Sequence, residues 1–101
     1  MRIEDEKIEG DVQLAQELTL SGMVTGNITV VDGGLLNLNG TCCKDLPLLE
    51  GAKVYLRGTV GGSVFNRGGY LEIYGTVAGS LHTTQEGSTF IDPDAVVTGD
   101  Q

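Results

Sequence analysis

The chain has 101 residues, 40% of them apolar, with 16 glycines, no tryptophan, and fourteen acidic against six basic side chains for a net charge of −8. That length supports one domain with a modest core. The charge argues against nucleic acid, whose phosphates need clustered lysine and arginine, and against docking on an anionic membrane.

The expected organisation is a single domain over 1–101, with an N-terminal cap region at 1–9, coils over 10–92 and a C-terminal cap at 93–101. The opening MRIEDEKIEG lacks the cationic start and apolar run of a signal peptide. No stretch approaches the length that crosses a bilayer; a cytoplasmic location is expected from the cysteines, which read as reduced thiols. Ile8-Glu9-Gly10-Asp11-Val12 then anticipates Val24-Thr25-Gly26-Asn27-Ile28 as a degenerate first unit. Overlapping the end of that unit, DVQLAQELTL is rich in good helix formers and could cap the N-terminal end as a short helix. Its Leu18 and Leu20, however, match Leu36 and Leu38 further along, which favours a strand.

From Gly22 the chain becomes periodic. Gly22, Gly40, Gly58 and Gly75 open successive units at steps of eighteen, eighteen and seventeen residues, and one more step lands on Pro93 in Asp92-Pro93-Asp94. Five apolar columns result. Ile8, Val24, Cys42, Val60 and Val77 form the first, and Val12, Ile28, Leu46, Val64 and Leu81 the second. The third runs through Leu14, Val30 and Leu48 and fades at Asn66 and Thr83. Leu18, Leu36, Val54, Leu71 and Thr89 make the fourth; Leu20, Leu38, Leu56, Ile73 and Ile91 make the fifth. Polar residues alternate with these, the period-two signature of strands.

Three short alternating strands per unit, broken by glycines, predict an all-β fold: a parallel β-helix, or solenoid, of about five coils of 17–18 residues. The crossover preference makes right-handed winding the expectation. A β-sandwich of hairpins is the alternative, since paired glycines also make tight turns, but it gives no reason for columns eighteen residues apart. Cys42 and Cys43, the only cysteines, would point to opposite faces of a strand. A bridge between them would be strained, so reduced thiols are expected, with Cys42 as a small core residue.

The GTVGGS at Gly58 and GTVAGS at Gly75 resemble the repeats of the bactofilins, bacterial polymer-forming cytoskeletal proteins. The likeness runs from about Gly22 to Gly99. It implies a right-handed β-helix and head-to-tail filament assembly through exposed end coils, without nucleotide.

No catalytic constellation emerges. His82 is the only histidine and is expected to face outward; no nucleophile, base and orienting acid converge. No glycine-rich stretch ends in the lysine and hydroxyl of a phosphate loop, and two cysteines with one distant histidine do not make a metal site. The chain therefore reads as a non-enzyme with no cofactor and no metal.

The outward positions are more informative. If Leu71 and Ile73 face in, then Tyr70, Glu72 and Tyr74 face out, with Lys53, Tyr55 and Arg57 stacked on one side and Ser88, Phe90 and Asp92 on the other. All three tyrosines then share one wall beside Phe90, a composition typical of interface hot spots, although cross-strand stacking alone could account for it. The candidate protein-binding set is Lys53, Tyr55, Arg57, Tyr70, Glu72, Tyr74, Phe90 and Asp92. The other strand's exterior, with Thr29, Pro47, Phe65 and His82, reads as thinner.

Two functions follow. In one, the protein is a binding module that blocks or holds another protein, a basic, toxin-like one drawn by the negative field; in type it resembles the small acidic immunity proteins of bacteria. In the other, it is a bactofilin-like scaffold that associates with itself. A face-to-face homodimer through the same tyrosines fits either.

Overall fold

A computed structural model describes residues 2–4, 7–84 and 87–98. The protein is a β-solenoid of about five turns, and no helix occurs among the described residues. The first turn contains β1 (Arg2–Glu4), β2 (Lys7–Ile8) and β3 (Val12–Leu14); the second, β4 (Glu17–Leu20), β5 (Met23–Val24) and β6 (Ile28–Val30). The third holds β7 (Leu35–Leu38), β8 (Thr41–Cys42) and β9 (Leu46–Leu49), and the fourth β10 (Lys53–Leu56), β11 (Thr59–Val60) and β12 (Val64–Arg67). The fifth is β13 (Tyr70–Ile73), β14 (Thr76–Val77) and β15 (Leu81–Thr83); β16 (Ser88–Ile91) and β17 (Val96–Val97) begin a sixth.

The strands stack into three parallel sheets: sheet A is β1-β4-β7-β10-β13-β16, sheet B is β2-β5-β8-β11-β14-β17, and sheet C is β3-β6-β9-β12-β15. DVQLAQELTL therefore supplies strands β3 and β4 rather than a capping helix. Good helix propensity, a weak determinant against tertiary pairing, yields here to the register Leu18↔Leu36 and Leu20↔Leu38. Residues 2–4 and 7–8, set apart above as a cap, pair with β4 and β5 as full members of their sheets. Asp92-Pro93-Asp94 forms the turn from β16 to β17, where Asp92 Oδ2 accepts the Asp94 amide at 2.9 Å.

The core follows from the columns. Val24, Cys42, Val60 and Val77 stack in register on sheet B, and Leu18, Leu36, Val54 and Leu71 do so on sheet A. From Leu14 to Leu81 these inward side chains form one cluster, nearly all of it inaccessible to water. Each fully buried Leu, Ile or Val contributes about 1.5–3 kcal/mol, and each depends on the turns above and below to be covered.

Asn66, where the third column fades, is the one buried polar side chain among the described residues. It is not an interruption of the core. Its Nδ2 donates to Ser88 O at 2.8 Å and Thr89 Oγ1 at 3.0 Å, and its Oδ1 accepts the Gly69 amide at 2.9 Å.

The opening glycines have a steric cause. A Cβ on Gly58 would collide with the Gly40 carbonyl oxygen, and one on Gly75 with that of Gly58. Turns lie one hydrogen bond apart, so at this corner only backbone fits between them. At the corner from sheet C to sheet A, Gly33, Gly51 and Gly68 have φ of 86°, 85° and 106°, the left-handed region that side chains disfavour. The corner from sheet B to sheet C is held by a side-chain ladder. Asp11 Oδ1 accepts the Asn27 amide, Asn27 Oδ1 that of Asp45, Asp45 Oδ1 that of Ser63, and Ser63 Oγ that of Ser80, at 2.8–3.1 Å.

Candidate protein-binding face

Strands β10, β13 and β16 place the candidate residues together on the exterior of sheet A. Their register is Lys53↔Tyr70↔Ser88 and Tyr55↔Glu72↔Phe90. Period two turns Val54, Leu56, Leu71 and Ile73 into the core, so the residues between them have nowhere to point but outward. Arg57 and Tyr74 each follow the last residue of their strand, and Asp92 follows β16.

Glu72 lies at the centre of this face. Tyr70 and Tyr74, two residues to either side of it, both donate their hydroxyl protons to its carboxylate, one to each oxygen. The hydrogen bond to the carboxylate pushes the Tyr70 phenol up to about 12, and the same interaction raises Tyr74. Reciprocally, the two phenols hold the Glu72 carboxyl below its ordinary value.

Aromatic contacts extend the unit to the neighbouring turns. Tyr55 meets Tyr70 edge-on with ring centroids 6.3 Å apart, and Tyr74 lies 6.0 Å from Phe90. The Arg57 guanidinium sits 5.3 Å over the Tyr74 ring, within cation–π range. The rings are well supported yet still accessible: Tyr70, Tyr74 and Phe90 are 37%, 36% and 47% exposed. Along one side, Lys53 and Tyr70 line an open groove of about 230 Å³ together with Gly51, Gly68 and Gly69.

Lys53 and Asp92 stand at opposite margins of the face and join none of these aromatic contacts. Asp92 instead caps its own turn.

A second aromatic cluster lies on sheet C, where the sequence implies only a thinner exterior. Phe65 and His82 stack face to face, 5.1 Å apart and 6° from parallel, and the Arg67 guanidinium lies 5.5 Å over Phe65. The signal was present in the seventeen-residue step from Phe65 to His82, since their strands pair in that register.

Cys42 is buried and Cys43 exposed, both as free thiols. Burial raises the Cys42 thiol, whose Sγ lies 3.5–3.6 Å from the carbonyl oxygens of Gly26, Lys44 and Asp45. Among the described residues no three His, Cys, Asp or Glu side chains are grouped to hold a metal ion, and no helix is long and apolar enough to cross a membrane.

No protein-family model, curated protein or solved structure matches this chain.

Proposed function

We propose that this protein is a non-catalytic binding module that holds or blocks another protein against the exterior of sheet A. The observation that carries the reading is the exposed set Tyr70, Tyr74 and Phe90, fixed in place by Glu72 and Arg57. An aromatic surface already held in one arrangement loses little conformational entropy when it docks. Tyrosine and arginine are also the residue types that dominate binding energy at interfaces.

The net charge of −8 favours a basic partner, steering its approach in a way that salt weakens. Inhibition of a toxin-like protein, in the manner of a bacterial immunity protein, is the form of binding this supports. The free thiols of Cys42 and Cys43 suit a cytoplasmic setting.

The test is purification of bound protein from the native cell, first with the wild type and then with a Tyr55→Ala, Tyr74→Ala double variant. The double variant is expected to keep its melting temperature within a few degrees while losing most of its partner. Full retention would remove this face from the function.

A second reading, bactofilin-like self-association through the coil ends, draws on one observation. At the C-terminal end Ile91 and Val96 are 38% and 52% exposed. Filaments in negative stain at ordinary salt would promote it above the first, and a doubled mass by light scattering would instead indicate a face-to-face homodimer.

A further inference from the structure

Sheet A ends in a strand whose outer side is free. Ser88 and Asp92 donate their amides back to Gly69 and Ile73 of the preceding turn. Successive residues of a parallel ladder bond to alternate sides, so the N–H and C=O of Thr89 and Ile91 point to the outer edge. Among the described residues no strand pairs there.

Ile91 also ends a column whose earlier members Leu20, Leu38, Leu56 and Ile73 are completely buried, while it is itself 38% exposed. Free backbone groups in line with an uncovered core position are the requirements for adding one more strand.

Two features select the occupant. A copy of this chain continuing the stack head to tail in the same register would set β1 on β16. In β1, Arg2 and Glu4 hold the register positions of Leu18 and Leu20, the columns that end at Thr89 and Ile91. In that register the residue aligned with Ile91 is the acidic Glu4, where the column calls for an apolar residue. The turn that follows β16 is acidic, with Asp92 and Asp94 flanking Pro93 and Asp94 exposed. A second copy brings the same negative charge; a basic segment of another protein brings the opposite one.

We infer that β16 accepts an extended segment of the partner protein as a further strand of sheet A. An apolar side chain of that segment covers Ile91, and a lysine or arginine beyond it lies beside Asp92 and Asp94. The inference rests on the partner-binding reading above and names the partner's conformation and chemistry.

The probe is a fluorescently labelled peptide, acetyl-Lys-Lys-Thr-Tyr-Ile-Lys-Lys-amide, with two counterparts N-methylated on alternate sets of amides. The parent peptide is expected to bind and to slow hydrogen exchange at the Thr89 and Ile91 amides. One counterpart should match it while the other loses at least tenfold in affinity, because only one set of amides faces the edge. Ile91→Asp should lose at least tenfold.

Absence of binding, equal behaviour of the two counterparts, or protection confined to residues away from β16 would overturn the inference. So would a concentration-dependent dimer that the peptide fails to dissociate, since a second copy would then own the edge. Native partner lost by the Tyr55→Ala, Tyr74→Ala variant but kept by Ile91→Asp would end the edge assignment and leave the aromatic face standing. The reverse pattern would end the face and keep the edge.

Discussion

Replacing Asn66 tests how the last turn is attached to the rest of the solenoid. The side chain makes three hydrogen bonds, to Ser88 O, Thr89 Oγ1 and the Gly69 amide, and is completely buried. Asn66→Ala removes all three at about 1 kcal/mol each and strands a buried Gly69 N–H, so a loss of about 3–4 kcal/mol is expected. For a domain of this size, that lowers the melting temperature by roughly 12 °C or more.

Asn66→Leu is the sharper variant, because it restores the column begun by Leu14, Val30 and Leu48. It regains about 2 kcal/mol of apolar burial, but the Gly69 N–H and the Ser88 carbonyl remain without Asn66. It should therefore stay less stable than wild type by about 1–2 kcal/mol. Urea unfolding followed by circular dichroism measures both variants. A leucine variant at least as stable as wild type would refute the reasoning: packing would then outweigh the polar bonds that Asn66 adds to the backbone ladder between β13 and β16.

Two further predictions concern ionisable groups. Tyr70 is pushed up to about 12 from an ordinary 10, so its contribution to stability is full below pH 10 and is lost as pH rises through about 12. Glu72 is held below its ordinary 4.5, so its contribution is present above that value and is lost as pH falls through the depressed one. Ultraviolet titration should show two tyrosines, Tyr70 and Tyr74, ionising late, and Glu72→Ala should bring both back towards 10; a late phase that persists would break the link to Glu72. For the thiols, Cys43 is exposed and Cys42 is buried with a raised pKa. A disulfide-forming reagent should consume one thiol per chain quickly and the second only in denaturant, and two equally fast thiols would contradict the burial of Cys42.

The inward half of this protein was legible residue by residue, and the outward half only as neighbourhoods. An inward position is constrained from two directions, by the pleat of its own strand and by the turns stacked on it. That is why the step from Leu36 to Val54 to Leu71 matches the strand register. An outward position borders solvent on one side, and its identity carries no comparable constraint. The eighteen-residue step put Tyr55, Tyr70, Tyr74 and Phe90 on one wall, but nothing in their spacing disclosed that Glu72 takes a hydrogen bond from each flanking tyrosine. The Phe65–His82 stack is hidden for the same reason, although the register implies it.

Polar substitutions inside the columns were the least legible. Asn66 looks in the sequence like decay of the apolar pattern, whereas it bonds to Thr89 across the end of the core. A solenoid has to stop burying apolar surface somewhere, and hydrogen-bonded polar side chains can end a column at little cost where an isoleucine leaves exposed area. By that criterion the column ending at Thr89 is finished. The one ending at Ile91 is not, and it is there, beside Phe90, that another strand has something to gain by binding.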